Sequence, residues 1–112
     1  MRSETTQPGL RPVALTQDQA RTVRSIFDRV IPGAQVRVFG SRATGQARPF
    51  SDLDLLIVQP TQLSWAQRAD LHDQFEASDL PFRVDVVEAK ALPDGMAGRA
   101  RSESVALYDL IA

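Results

Sequence analysis

Three aspartates occupy positions from which they could act on one substrate. Asp52 and Asp54 are separated by one residue at the start of the apolar run Leu55–Val58, and Asp85 lies in a second apolar run. Side chains alternate along a strand, so Asp52 and Asp54 should point the same way. If the strand of Asp85 is a neighbour, the three carboxylates converge. Oxygen ligands favour Mg²⁺ or Mn²⁺, and two such ions can promote displacement at phosphorus.

A glycine-containing turn precedes the aspartate pair and has the properties of a phosphate-binding segment. Gly40 permits a positive φ and a close approach of the backbone to a ligand. Ser41 can begin a helical turn whose free N–H groups bind phosphate oxygens, and Arg42 can offer a planar guanidinium to a triphosphate. We therefore predict that Gly40, Ser41 and Arg42 bind nucleotide.

The segments around these residues alternate between helical and extended patterns. Thr16 with Gln19, and Ser64 with Gln67, have the spacing of capping boxes, which mark helix starts. Apolar residues at three- and four-residue spacing follow the first box, and alternating or continuous apolar runs predict strands. The predicted elements are helices over 16–30, 64–78 and 93–102, strands over 36–39, 54–58 and 82–87, and a helical turn over 41–44.

This order of elements predicts an α+β fold, a small mixed β-sheet flanked by helices on one face with the aspartates on the other. A chain of 112 residues is long enough for one core and too short for two. Residues 1–14 contain Pro8, Gly9 and Pro12 and are predicted to form a flexible tail, with one domain over 15–112. The apolar segment Val105–Ile111 should dock on the core.

Composition restricts the function classes. A formal net charge of −1 argues against an extended nucleic-acid surface. The absence of cysteine excludes a disulfide framework, a cysteine zinc site and a thiol nucleophile. No apolar stretch approaches the length of a membrane span, so we expect no membrane association and a cytoplasmic location.

The segments Phe39–Gly45, Ser51–Leu55 and Val84–Val86 together resemble the motif set of the DNA polymerase β-like nucleotidyltransferase superfamily. The short chain is similar to its minimal nucleotidyltransferases, and the resemblance covers about residues 15–108. It implies the polymerase β-like nucleotidyltransferase fold, ATP as substrate and two Mg²⁺ or Mn²⁺ ions.

The resemblance also implies a role for each candidate residue. Gly40 and Ser41 would hold the triphosphate. Asp52 and Asp54 would bind both metal ions. Asp85 would bind the catalytic ion and help to activate the acceptor hydroxyl, while Arg42 would contact phosphate.

Larger members of the superfamily carry a second domain that binds the acceptor, and this chain has no length for one. Minimal members are often encoded beside a helical HEPN protein, against which they act as antitoxins, and some transfer AMP to a tyrosine of that partner. The resemblance therefore implies a HEPN-type toxin as partner and AMP transfer to a protein hydroxyl. Two alternatives stay open: an antitoxin that only occludes its partner, and a transferase acting on RNA or a small molecule.

Several of these residues also have ordinary structural interpretations. Asp52 and Asp54 could cap a turn, and a Gly-Ser pair is common in simple turns. His72 is expected to be a surface or half-buried helix residue. Trp65 and Phe75 are expected in the core or at a partner contact.

Overall fold

The computed structural model describes residues 13–93 and 95–111, so most of the predicted tail, residues 1–12, lies outside the described residues. Four strands form one mixed sheet in the order β3-β2-β1-β4. β1 pairs antiparallel with β2 and β4, and β2 pairs parallel with β3. The strands are β1 Gln35–Phe39, β2 Leu53–Gln59, β3 Val84–Glu88 and β4 Val105–Ala106. The predicted α+β class with a mixed sheet is confirmed.

Four helices accompany the sheet: α1 Gln17–Val30, α2 Ser41–Thr44, α3 Trp65–Glu76 and α4 Met96–Ser102. Both predicted capping boxes are present. The Thr16 hydroxyl accepts from the Gln19 N–H at 3.1 Å, and the Gln19 side chain accepts from the Thr16 N–H at 3.0 Å. Ser64 and Gln67 make the same exchange at the start of α3. These side chains satisfy N–H groups that a helix start otherwise leaves unpaired.

The two faces of the sheet have different compositions. One face is apolar and packs against α1 and α3 to form the core, with Val38, Leu55 and Ile57 completely buried. Phe27 of α1 meets Phe75 of α3 edge to face, with ring centroids 5.9 Å apart. By strand alternation, the opposite face carries polar groups at one end of the sheet. The core therefore holds the strands in place from one face of the sheet, and the candidate site lies on the opposite face.

The C-terminal segment docks as predicted but also extends the sheet. Val105 pairs with Val38, and Leu107 is completely buried in the core. We did not predict this strand, because two residues carry no periodicity. α4 contacts β1 and, with Phe39, lines a cavity beside Gly40, so the prediction that all helices lie on one face was wrong.

Within the described residues, none of the helices is both long enough and apolar enough to cross a membrane.

Candidate active site

Asp54 and Asp85 lie side by side on adjacent strands. β2 and β3 are parallel, and their register pairs Leu53 with Val84 and Asp54 with Asp85. Leu53 and Val84 face the core, so both carboxylates project from the opposite face. The alternation of side chains along each strand therefore places these two carboxylates side by side on the face opposite the core. The sequence analysis predicted that Asp85 would converge with both Asp52 and Asp54 if the strands were neighbours; the strands are neighbours, and their register pairs Asp85 with Asp54.

Asp52 lies just before β2 and is exposed. Its carboxylate is 4.0 Å from Nε of Arg83, at the outer limit of an ion pair, and both side chains are largely solvated. Such a pair contributes little to stability. We did not predict a role for Arg83, although its alternation with Asp85 already placed both on one face. Among the described residues, Arg83 is the cation that forms an ion pair with one of the three aspartates, and its side chain is mostly exposed.

Gly40 borders Asp54 directly. It has φ 74° and ψ −157°, a conformation that side chains with a Cβ rarely adopt. A Cβ built on Gly40 would overlap the Oδ2 atom of Asp54 and lie 3.1 Å from its Cγ. The backbone of the turn therefore passes within van der Waals contact of the carboxylate. Substitution of Gly40 by a residue with a Cβ would therefore displace Asp54.

Ser41 begins α2, a helix of a single turn. The Gly40 carbonyl accepts from the N–H groups of Ala43 and Thr44 at 3.1 and 3.2 Å, which closes the turn. Gly45 ends it in the left-handed region with φ 81°. The first N–H groups of such a turn have no carbonyl within it to bond, so they stay available to an anion.

Arg42 is buried within the protein, whereas the sequence analysis expected its side chain to contact phosphate. It is 5% exposed, and its guanidinium donates to the carbonyls of Ser51, Ala14 and Pro49 at 2.6–3.1 Å. Its Cζ also lies 4.0 Å from the centroid of the Phe82 ring. Burial lowers the pKa of this guanidinium. The geometry favours a structural role, in which Arg42 joins the chain before α1 to the loop before β2, over the phosphate contact we expected.

Negative charge is concentrated at Asp54. Burial, followed by the charges of Asp85 and Asp52, raises the pKa of the Asp54 carboxyl. No described cation forms an ion pair with Asp54. Across residues 13–93 and 95–111, no three carboxylate or imidazole side chains are gathered closely enough to hold a metal ion by themselves. Asp54 therefore has no ion-pair partner among the described residues, and ligands beyond the protein would have to complete a metal coordination sphere at this site.

Other candidate residues lie away from these carboxylates or on the surface. Trp65 is 85% exposed, so of the two positions expected for it the core is excluded, and the partner contact stays a prediction. Phe75 packs in the core, and His72 is exposed on α3, as expected. Phe50, which we did not single out, is 78% exposed two residues before Asp52.

The model of the family "Polymerase beta, Nucleotidyltransferase" matches residues 22–110, which include the turn at Gly40 and all three aspartates. The chain belongs to this nucleotidyltransferase family. A solved structure provisionally described as a minimal nucleotidyltransferase is 33% identical, with a TM-score of 0.62 over 79% of this chain and 88% of the other. Both findings agree with the α+β architecture described above.

The chain is also similar to one curated protein and to one further solved structure. The chain is 36% identical over 74 residues to the probable protein adenylyltransferase MntA of Haemophilus influenzae. That match spans 66% of this chain and 65% of the relative. A solved toxin–antitoxin structure with AMP-PNP has a TM-score of 0.64 at 21% identity and covers 79% of this chain and 71% of the other, a likeness of fold.

Proposed function

We propose that this protein transfers AMP from ATP to a hydroxyl of a cognate helical HEPN-type toxin and thereby acts as its antitoxin. The observation that carries the proposal is the pairing of Asp54 with Asp85 on one sheet face, directly against the Gly40 turn. Carboxylates and a phosphate-binding turn in contact are the parts that nucleotidyl transfer requires.

The residues fit two Mg²⁺ or Mn²⁺ ions, with Asp52, Asp54 and Asp85 as ligands. Burial, followed by the charges of Asp85 and Asp52, raises the pKa of Asp54, so a bound divalent ion would offset both the burial of this charge and the repulsion. Mg²⁺ commonly binds through one or two carboxylates together with substrate phosphates, which suits a site lacking a gathered set of three side chains. When bound, the ions would supply charge neutralisation at the phosphate oxygens.

The chain's own groups would orient the triphosphate and the acceptor. The N–H groups at the start of α2 would hold phosphate oxygens, and Gly40, which has no Cβ, lets this turn lie directly against Asp54. The acceptor oxygen bonds to the α-phosphorus as the bond from that phosphorus to the α,β-bridging oxygen breaks, releasing pyrophosphate. Asp85, exposed on the same face, would take the hydroxyl proton.

The choice of a protein acceptor is supported by relatives. The Haemophilus relative is described as a probable protein adenylyltransferase, and a neighbour of the same fold is a toxin–antitoxin structure with AMP-PNP. The net charge of −1 gives no support to a nucleic-acid acceptor. The HEPN class of the partner rests on the resemblance of the motifs.

The test compares wild type with Asp85→Asn. Each is incubated with the protein that co-purifies from the native host, ATP labelled in its α-phosphate, and Mg²⁺. We expect the wild type to label the partner and silence its toxic activity. Asp85→Asn should lower the rate of transfer by several powers of ten, roughly the effect of losing a catalytic ligand, with the fold unchanged.

The same experiment distinguishes catalysis from occlusion. If Asp85→Asn silences the partner as well as wild type at equal stoichiometry, occlusion is sufficient and the enzymatic antitoxin proposal is wrong. If label from ATP appears on RNA or a small molecule and never on the partner, the proposed acceptor is wrong.

A further inference from the structure

One edge of the sheet has unpaired backbone groups next to the candidate site. β3 is the first strand of the sheet, and no strand among residues 13–93 and 95–111 pairs with its outer side. The Leu53 N–H donates to the Arg83 carbonyl at 2.8 Å, which fixes the parallel pattern. In that pattern Asp85 and Val87 bond towards β2, whereas the N–H and C=O groups of Val84 and Val86 point outward.

The protection of this edge against pairing is partial: β3 is short and carries Asp85 and Glu88, but its outer backbone groups are not blocked. Proteins commonly block edge strands with lysine, proline or a bulge. β3 contains none of these and pairs with β2 in unbroken register over its whole length. Its outer backbone groups are therefore arranged to bond to another extended chain.

An open groove runs between this edge and α3. It has a volume of about 570 Å³, and its wall includes Val84 and Val86 of β3. On the α3 side it is lined by His72, Phe75 and Glu76, and Phe82 lines one end. A groove between a helix and an unpaired strand edge has the form in which extended peptides bind by strand addition, with pockets for alternate side chains.

We propose that an extended segment of the acceptor protein binds here as a fifth strand, antiparallel to β3, and presents its hydroxyl residue opposite Asp85. This inference rests on the proposed function and specifies how the acceptor reaches the site. It assigns Val84 and Val86 as main-chain binding residues and the α3 groove as the pocket for residues flanking the hydroxyl.

The register explains why this edge suits the reaction. Asp85 uses its own N–H and C=O towards β2, so a residue opposite it would occupy a non-hydrogen-bonded pair. In such antiparallel pairs the two Cα atoms are only about 4.5 Å apart and the side chains are closest. A tyrosine, serine or threonine there would project from the same face as Asp85 and Asp54. Its two neighbours in sequence would point to the other face, into the groove.

The chemistry at the edge favours this occupant over a second copy of the chain. A second β3 would bring its own Asp85 and Glu88 to an edge that already carries both. Like charges opposite each other in a strand pair are destabilising. A segment with a neutral hydroxyl residue at the central position avoids that repulsion.

Val86→Pro tests the backbone contact, with Val86→Ala as its matched control. Proline removes the outward N–H of Val86, which β2 does not use, and proline is tolerated on edge strands when its missing N–H would face solvent. Alanine shortens the same side chain and keeps the N–H. We expect Val86→Pro to raise the KM for the acceptor about tenfold or more above that of Val86→Ala, which loses the same part of the side chain, with equal Mg²⁺-ATP affinity in the two variants. Equal KM values for Val86→Pro and Val86→Ala would overturn the proposal, provided circular dichroism shows both variants folded.

A second measurement leaves the protein unaltered. An 11-residue peptide centred on the labelled acceptor residue is made with N-methyl groups on alternate amides. Methylation of the set facing Val84 and Val86 should abolish labelling, and methylation of the other set should not. Equal labelling of both peptides would show that strand pairing is not used.

Amide exchange by NMR separates this proposal from the proposed function, because it does not need transfer. On adding the acceptor protein, the amides of Val84 and Val86 should become protected, while those of Asp85 and Val87 are protected already. Protection without labelling supports the docking and refutes the enzymatic function. Labelling without protection supports the enzymatic function and refutes the docking. Protection that appears without the acceptor and rises with protein concentration would assign the edge to a second copy and overturn the proposal.

Discussion

The two ends of β3 carry carboxylates in opposite circumstances. Glu88, at the C-terminal end, accepts from Nε and Nη2 of Arg68 at 2.7 and 3.0 Å and from the Leu63 N–H at 2.7 Å. The hydrogen bond from Arg68 is the main cause that lowers the pKa of Glu88. Asp85, near the other end, adjoins Asp54, whose pKa is raised by burial and by its acidic neighbours.

The difference indicates which carboxylate serves the fold and which serves a ligand. Glu88 joins β3 to α3 and to the segment before it, so its charge is compensated within the protein. The Asp54 and Asp85 pair has no such compensation, and buried or crowded charges are costly without it. Clusters of this kind are typical of functional sites. The predictions below, in order of expected effect, test this contrast.

Replacement of Arg42 tests whether its guanidinium stabilises the fold or binds the phosphates of a nucleotide. Arg42→Lys keeps the charge but loses most of the planar hydrogen bonds to Ser51, Ala14 and Pro49 and the contact with Phe82. We expect a loss of about 2–4 kcal/mol in the free energy of unfolding, measured by urea denaturation. A variant as stable as wild type that binds ATP weakly would instead place Arg42 on the phosphate.

Glu88→Gln tests the compensated end. The amide keeps an acceptor for the Leu63 N–H but loses the charge that pairs with Arg68. Since the pair is partly solvated, the free energy of unfolding should fall by about 1 kcal/mol or less. Mg²⁺-ATP affinity should not change. A large loss of nucleotide binding would show that the two ends of β3 are not functionally separate.

Asp54→Asn tests the uncompensated end. Of the three substitutions it should change the free energy of unfolding of the metal-free protein least, and it should raise that free energy where the other two lower it. Because the folded-state pKa of Asp54 is raised, its contribution to stability is fully present below the unfolded pKa of about 4 and is lost as pH rises through the folded pKa. The variant should therefore be more stable than wild type at pH near 7, with the difference shrinking towards about pH 4. Urea unfolding in EDTA at both pH values measures this. A variant less stable than wild type at neutral pH would show that ionised Asp54 is already compensated.

Local patterns in the sequence predicted the parts of the fold that depend on neighbouring residues. The capping boxes at Thr16 and Ser64 are short-range hydrogen bonds, and strand alternation placed Arg83 and Asp85 on one face. Both were readable without a structure because their partners are close in sequence.

Features that depend on distant partners were not predicted. The strand at Val105 exists only because β1 offers it an edge. Arg42 is buried because the carbonyls of Ala14, Pro49 and Ser51 converge on it, and no spacing rule shows that convergence. Trp65 is apolar but lies at the first position of α3, where it projects into solvent. In the site, the register of Asp54 with Asp85 needed the order of strands, which the sequence left conditional.

We infer that the aspartates of the candidate site hold a metal-bound triphosphate. The test is a calorimetric titration of ATP into three proteins: wild type, Asp52→Asn/Asp54→Asn and Glu88→Gln. Each titration is done once with Mg²⁺ and once with EDTA. We expect Mg²⁺-dependent binding to wild type and Glu88→Gln, and an affinity at least about tenfold lower in the double variant. Equal Mg²⁺-dependent binding by wild type and the double variant would contradict it, because the metal-bound nucleotide would then be held elsewhere.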